Sequence, residues 1–295
     1  MKASIKTIVI NLLLPIILFS FTNPVNDDPT KYLNKGKDYF YQKEYIKAIG
    51  ELTIAISMQK NLGEAYYYRG LSKDLLGKKE GYYNEEFCYD LIKAMHYGYY
   101  EAVEQLYKRG QFEAIQLSYL VEHPEKILCI DLADHQLSEF PESFSEMENL
   151  ISVNINDNNI RVISSDFFDN HPNIIQLNLS QNYLKELPKS LTHQKYLYEL
   201  NLSYNRLKSL PHQMNEMKQL RVLNLRGNQL HHLDHNVKDL DQLKVLNLSI
   251  NQFKKIPKVI YLLANLEELD LSGNIIDEKE IKKLKMALPD THIIY

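Results

Sequence analysis

The most constraining feature of this sequence is a repeat of 23 or 24 residues that fills its C-terminal half. Each unit follows the pattern apolar-x-x-apolar-x-apolar-x-x-Asn-x-apolar-x-x-apolar and often closes with proline. The clearest copy runs from Leu197 to Pro211. Seven units start at equivalent apolar positions: Ile127, Leu150, Ile174, Leu197, Leu220, Leu243 and Leu266. This period predicts a solenoid, because one unit can bury its apolar side only against its neighbours.

The spacing within each unit predicts a short strand followed by a turn. The second and third apolar positions alternate with exposed residues, which is the period of a β-strand. We expect seven such strands to stack in parallel about 4.8 Å apart. The asparagine after each strand is expected to turn inward and satisfy backbone groups of the turn. This column is architectural, and it comprises Asn158, Asn182, Asn205, Asn228, Asn251 and Asn274.

These motifs, which cover residues 127–276, resemble those of the leucine-rich repeat family. The resemblance implies an α/β repeat solenoid with parallel strands that binds proteins or peptides. Beyond the repeats, residues 277–288 predict a C-terminal helix that caps the open end of the core. Ile293 and Ile294 predict a closing strand. We assign residues 123–295 to this leucine-rich repeat domain.

A second repeat precedes these units. Gly36 and Gly70 are 34 residues apart, and Tyr32 and Tyr66 each precede them by four residues. Small and apolar residues then share one face of a second helix: Ala48, Leu52 and Ala55. The pattern resembles the tetratricopeptide repeat, a helix–turn–helix unit of about 34 residues. The resemblance implies TPR-like helical hairpins and a capping helix over residues 31–122, with glycine where two helices approach closely.

The second helical copy departs from the pattern, because five extra residues separate its two helices. We expect these residues in a turn at residues 77–84. Phe87 stands at the position that Ala48 occupies in the first copy. A third, incomplete pair is predicted over residues 100–121, and its second segment, residues 111–121, is expected to cap the strand stack. The helical repeats are too few to be stable alone, so we expect the two blocks to fold together.

The N-terminus has the pattern of an export signal. Lys2 and Lys6 precede an apolar run of 15 residues, 7–21, which is shorter than the ~20 residues of a membrane-spanning helix. We therefore predict a signal peptide at residues 1–22 and a linker at residues 23–30. The alternatives are a buried helix and an uncleaved membrane anchor. The signal, together with the use of Lys, Tyr, Asn and Ile, indicates a bacterial protein that is periplasmic, in the cell envelope or secreted.

The sequence carries no pattern typical of catalysis. It lacks a phosphate-binding loop, a dinucleotide fingerprint, a nucleophile elbow and the HExxH zinc motif. Its two cysteines, Cys88 and Cys129, match no zinc spacing, and Cys129 is expected on an exposed face without a catalytic partner. The formal net charge of −4 argues against general nucleic-acid binding. We predict no enzymatic activity and no cofactor.

Two other motifs have simpler interpretations. His212, His231 and His235 fall near one another in the repeat register and offer a zinc site. The alternative, which we favour, is a solvated convex edge that tolerates histidine. Three Asn-Leu-Ser triplets match the glycosylation sequon, but we interpret them as the repeated strand; they begin at Asn178, Asn201 and Asn247.

The surface that the strands line is the expected binding surface. Its middle column is polar: Asp131, Asn154, Asn178, Asn201, Asn224, Asn247 and Asp270. Charge is uneven, with one base and nine acids in residues 127–170 (net −8) and thirteen bases and six acids in residues 171–258 (net +7). Five residues are predicted to cluster on this concave face and its rim, with Arg226 on a strand: Tyr183, Tyr204, Arg206, Arg226 and Ile250. Tyrosine and arginine are frequent interface hot spots.

The predicted function is that of an exported, non-catalytic protein–protein interaction module. Its partner is a protein or peptide bound on the concave face, and the membrane is involved only if the N-terminal segment stays uncleaved. The alternative is a structural or self-assembling component of the cell envelope. Fifteen of the 21 tyrosines lie between residues 32 and 119. We interpret them as helix packing, with a binding groove as the other interpretation.

Overall fold

The structure is a computed structural model of the chain, and it describes residues 28–80, 86–109 and 127–295. The predicted signal peptide, the predicted capping segment at residues 111–121 and the boundary predicted at residue 122 lie outside the described residues. Contacts within the chain define two compact units, one ending at Ala102 and one formed by Val103–Tyr295.

The first unit is helical, as the sequence predicts. Asp28 begins its first helix, because the Asp28 side chain accepts a hydrogen bond from the Thr30 backbone N–H and Pro29 occupies the first turn. The helices are α1 (Pro29–Tyr41), α2 (Tyr45–Met58), α3 (Gly63–Glu80), α4 (Glu86–His96) and the start of α5 (Glu101–Arg109). α1 packs on α2, and α3 packs on both α2 and α4.

Small residues allow these helices to approach closely. A Cβ atom added at Gly36 would lie 2.5 Å from Cγ of Leu52, which is fully buried on α2. At Gly70 the same atom would lie 3.0 Å from the carbonyl oxygen of Phe87. Phe87 itself is buried, so the fold accommodates the larger residue at this position. Both glycines are therefore required by packing.

The prediction of a turn beginning at Gly77 is wrong, because α3 continues through Gly77 to Glu80. The extra helical turn has local support. Lys78 and Asp74 form an i,i+4 ion pair with 3.1 Å between Nζ and Oδ2, and Leu76 is buried. Part of the inserted sequence thus lengthens a helix instead of widening a turn.

The second unit contains a parallel sheet of eight short strands in sequence order, as the sequence predicts. The strands are β1 (Cys129–Asp131), β2 (Ser152–Asn154), β3 (Gln176–Asn178), β4 (Glu199–Asn201), β5 (Val222–Asn224), β6 (Val245–Asn247), β7 (Glu268–Asp270) and β8 (His292–Ile294). Equivalent positions of successive repeats pair directly; for example, Leu200 pairs with Leu223. The predicted closing strand is β8.

The asparagine column ties each repeat to the one before it. In the fourth repeat, Asn205 donates to the carbonyl oxygen of Leu179 at 2.9 Å, and its Oδ1 accepts from the Leu184 N–H at 2.9 Å. Both partners belong to the third repeat. The same pair of bonds recurs at the other five positions of the column. These buried amides are architectural, as predicted.

The side opposite the strands is built from single helical turns. Proline precedes four of them, at Pro141, Pro188, Pro211 and Pro257. Where proline is missing, a side chain caps the turn instead. Ser164 caps α6 (Ser165–Asn170), and Asp234 caps the turn His235–Asp239 by accepting from the Asn236 N–H at 2.9 Å.

The C-terminal end of the core is closed as predicted. Helix α7 (Glu278–Ala287) begins at Asp277, whose side chain accepts from the Lys279 N–H. Ile281, Leu284 and the following Leu288 are buried against the repeat core. In the described parts of the chain, no helix combines the length and apolar character needed to cross a bilayer.

Candidate interaction surface

Each residue of the polar column along the strands uses one side-chain oxygen for a hydrogen bond within the fold. In all seven repeats, Oδ1 of the Asn or Asp at the end of the strand accepts from the backbone N–H two residues later. Asn201 is typical, with 3.1 Å to the Ser203 nitrogen. The column therefore shapes the turn that follows each strand. The NH₂ groups of its asparagines are further donors, and that of Asn247 donates to Oδ2 of Asp270 at 3.2 Å.

The start of the strands at the fourth repeat is covered by the chain itself. Tyr107, which lies on α5 within the second unit, stacks on Tyr198 with 4.2 Å between ring centroids. Its hydroxyl donates to Oε2 of Glu199 at 2.7 Å, and burial together with this bond raises the pKa of Tyr107. Arg221 lies 5.0 Å from the Tyr198 ring and 3.6 Å from a carboxylate oxygen of Glu104. No sequence pattern predicts this contact, because α5 carries no register that relates it to the repeats.

The strand ends of the next repeats carry an arginine held in place by three neighbours. Arg226 donates through Nε to the Tyr204 hydroxyl at 2.7 Å and through Nη1 to Oγ of Ser249 at 3.0 Å. A carboxylate oxygen of Asp270 lies 3.9 Å from the same Nη1. The bond to Tyr204 raises the pKa of Arg226. The predicted strand position of Arg226 is wrong: it lies two residues beyond Asn224, where β5 ends.

A second arginine–tyrosine pair lies in the two preceding repeats. The Arg206 guanidinium lies 4.5 Å from the centroid of the Tyr183 ring, and both side chains are exposed. This is the geometry of a cation–π contact. No hydrogen bond or ion pair joins the Arg206 guanidinium to another described residue. We call the two pairs, with Ile250, the strand-end cluster.

The strand-end cluster rests on an unusual backbone column. The residue before each conserved turn asparagine has a positive φ in every repeat, and two large side chains occur there: Tyr204 at +54° and Ile250 at +51°. Glycine follows each of them in the next repeat. An added Cβ at Gly227 would lie 2.6 Å from the Tyr204 ring, and one at Gly273 would lie 3.1 Å from Cγ1 of Ile250. The glycines thus make room for the two exposed side chains.

The structure brings the five predicted site residues into two arginine–tyrosine pairs and one adjoining isoleucine. Ser249 and Asp270, which position Arg226, were not predicted as site residues. The repeat register places both residues in the repeats that follow Arg226, so it could have predicted that they lie close to it. Cys129, the first residue of β1, is buried, not exposed as predicted, whereas the first residues of β2 to β6 are half-buried.

The histidines do not form a metal site among the described residues. His212 pairs instead with Asp234, with 2.5 Å between Nδ1 and Oδ2. The rings of His231 and His232 contact each other at 4.7 Å. These contacts agree with the interpretation of an edge that tolerates histidine.

The family model described as "Leucine rich repeat" matches residues 148–207, 188–230 and 218–276. The chain therefore contains leucine-rich repeats, a class of solenoid whose extended surfaces generally mediate protein–protein interaction. No curated protein sequence matches the chain.

Solved structures share this fold. A leucine-rich repeat protein of Leptospira interrogans is 28% identical with a TM-score of 0.51, over 59% of this chain and 51% of that one. An internalin of Listeria monocytogenes is 18% identical with a TM-score of 0.50, over 61% and 57%. A plant receptor kinase ectodomain from Arabidopsis thaliana, in complex with Casparian strip integrity factor 2, is 26% identical with a TM-score of 0.47, over 57% and 20%. The match spans about half the length of the Leptospira protein.

Proposed function

We propose that this protein is an exported, non-catalytic interaction module that binds a protein or peptide partner through the strand-end cluster. The observation that carries the proposal is the ordered exposure of Tyr183, Tyr204 and Ile250 beside Arg206 and Arg226. Large aromatic and arginine side chains that are already positioned lose little freedom on binding, which favours affinity.

The covered part of the strand surface supports the same location. Tyr107 packs against Tyr198 and Glu199 at the start of β4 and leaves them half-buried, which restricts the access of a partner to those side chains. The strand ends of the same and following repeats are exposed at Tyr204 and Ile250. A partner on this face would therefore contact the strand-end side.

The partner can be captured by crosslinking from native cell envelopes, with the purified full chain as bait. Alanine at Tyr204, Arg226 or Ile250 should each weaken binding of the captured partner by about 1–3 kcal/mol without lowering the melting temperature. Met286→Ala is the matched control, because Met286 is an exposed apolar residue on α7. If all three variants bind as the parent does, the contact surface lies elsewhere. A stable homo-oligomer in light scattering, with no captured partner, would instead support a self-assembling component.

Export is a separate part of the proposal, and it rests on Lys2, Lys6 and the apolar run at residues 7–21. N-terminal sequencing of the protein from its native source should begin near Asn23. An intact Met1 on protein from the cytoplasm would contradict export and would leave the binding proposal standing.

A further inference from the structure

We propose that the strand-end cluster takes an acidic peptide segment of another protein, with its carboxylates on Arg206 and Arg226. This inference rests on the proposed function and specifies the chemistry of the partner.

Arg206 is a cation that is oriented but not neutralised. Its guanidinium carbon lies over the Tyr183 ring, 4.5 Å from the ring centroid. Across residues 28–80, 86–109 and 127–295, no carboxylate is paired with it. A guanidinium that is stacked on an aromatic face keeps its planar edge free, and that edge matches a carboxylate through two parallel N–H donors.

Arg226 is fixed more firmly. Its Nε and Nη1 are engaged by Tyr204 and Ser249, at 2.7 and 3.0 Å. The second terminal nitrogen, Nη2, makes no hydrogen bond to the described residues, and the side chain is 35% exposed. A carboxylate oxygen of Asp270 lies 3.9 Å from Nη1, so it partly offsets the charge of Arg226 but makes no hydrogen-bonded ion pair with it. The two bonds fix the guanidinium, so the N–H donors of Nη2 are held in a set direction.

The charge of the surrounding repeats agrees with an acidic occupant. Residues 171–258, which contain both arginines, carry a net charge of +7. An acidic segment would be attracted to this part of the solenoid and repelled by residues 127–170, which carry a net charge of −8. Exposed Tyr204 and Ile250 add apolar contact area beside the arginines.

The test uses two fluorescein-labelled ten-residue peptides, one alternating Glu and Ser and one alternating Gln and Ser. In an extended peptide, alternate side chains face the same way, so the first peptide presents a row of carboxylates. Fluorescence anisotropy with the full chain at low ionic strength should show binding of the Glu peptide and none of the Gln peptide. Absence of binding by the Glu peptide overturns the proposal.

Charge-matched variants separate a specific site from general attraction. Arg206→Gln and Arg226→Gln should each weaken binding of the Glu peptide at least about fivefold. Lys189→Gln and Lys258→Gln remove one charge each at exposed first positions of helical turns opposite the strands, and they should change binding less than about twofold. Equal losses from the lysine and arginine variants would overturn the proposal. Thermal melts confirm that each variant is folded.

The two proposals fail in different ways. If a captured partner depends on Tyr204 and Ile250 but is indifferent to Arg206→Gln and Arg226→Gln, the binding function stands and the acidic segment is wrong. If the Glu peptide binds through the arginines but no partner is captured, the chemistry stands and the protein partner is unsupported. Sedimentation velocity tests whether a second copy of the chain occupies the strand-end cluster. Self-association that Arg206→Glu abolishes would identify such a copy and overturn the proposal.

Discussion

At the scale of single residues, the exposed side chains with positive φ need an explanation beyond folding. Asp157 and Gln181 occupy the same column as Ile250, and polar or glycine residues suit this conformation. A β-branched residue there is strained by about 1–3 kcal/mol. Ile250 is also 43% exposed, so core packing does not compensate for the strain. Retaining such a residue on the surface is consistent with a role in contact with a partner.

Ile250→Asn should therefore raise the stability of the chain while weakening partner binding. The expected gain is about 1 kcal/mol, because asparagine tolerates the left-handed conformation that isoleucine resists. Urea denaturation measures it. Ile275→Asn is the control, since Ile275 is exposed and has no positive φ; it should change stability by less than about 0.5 kcal/mol. A loss of stability in Ile250→Asn would mean that the packing of Ile250 stabilises the fold, and would contradict the inference that the residue serves partner binding at a cost in stability.

Asp234 predicts a dependence of stability on pH. The Asn236 N–H, and after it His212, hold the pKa of the Asp234 carboxyl below its usual range. Its folded pKa is thus lower than the unfolded value of about 3.9, so its contribution to stability is present above pH 4 and is lost as pH falls through the folded pKa. Asp234→Asn should reduce the fall in unfolding free energy between pH 5 and pH 2.5.

The matched control for this measurement is Asp241→Asn. Asp241 is exposed in the same repeat, and no described residue donates a hydrogen bond to its carboxylate. This variant should keep the pH dependence of the parent. Equal pH dependence in the parent and in Asp234→Asn would show that the capping bond does not favour the charged form.

At the scale of elements, the stability of the strand repeats and the stability of the helical unit depend on different contacts. The strand repeats depend on buried hydrogen bonds, such as those of Asn205 to the preceding repeat. The helical hairpins depend on close contact. Arg69 also joins α3 to α4, with Nε and Nη2 at 2.9 and 2.6 Å from the two carboxylate oxygens of Asp90. The helical unit therefore depends both on close packing and on this largely buried ion pair.

Two glycines of the helical unit provide a direct comparison. Gly36→Ala should destabilise the chain by about 1–3 kcal/mol, because the new methyl group would meet buried Leu52. Gly50→Ala should stabilise it by about 0.5–1 kcal/mol, because nothing lies within 4 Å of the added atom and alanine favours the helix. Thermal unfolding followed by circular dichroism measures both. Similar effects of the two changes would contradict the assigned close approach.

Periodic features were predictable, and features outside the period were not. The turn asparagines follow from the register that repeats seven times. The cap formed by α7 follows from the helical spacing of Ile281, Leu284 and Leu288, and the closing strand from Ile293 and Ile294. The contact of Tyr107 with Glu199 joins residues 92 positions apart, and no pattern marks it. Arg226 was placed on a strand because the pattern does not show that each strand lasts only three residues.

At the scale of the whole chain, the boundary of the second unit lies inside a helix. Val103 and Leu106 of α5 are buried, and Tyr107 stacks on the fourth repeat. A cut that leaves α5 with the helical region removes its C-terminal residues from their contacts with Tyr198 and Glu199. The helical region also has few repeats of its own.

Residues 23–122 expressed alone should therefore be poorly folded. The expected result is a broad, weakly cooperative thermal transition in circular dichroism, because Tyr107 loses its partners on β4 and too few repeats remain to stabilise each other. The full chain is the reference. A sharp transition of the isolated fragment would contradict the dependence of the helical region on the strand repeats.

The alternation of large residues and glycine before the turn asparagines has a consequence for how such an array can change length. The side chains of Tyr204 and Ile250 occupy the space that a side chain at Gly227 or Gly273 of the next repeat would need. Deleting the single repeat between Tyr204 and Ile250 would place the side chain of Tyr204 directly beside that of Ile250. Deleting the two repeats that contain Gly227 and Ile250 would place Tyr204 beside Gly273 and preserve the contact between a large side chain and a glycine. The hydrogen-bond register thus has a period of one repeat, whereas the fit between large residue and glycine has a period of two repeats across residues 204–273.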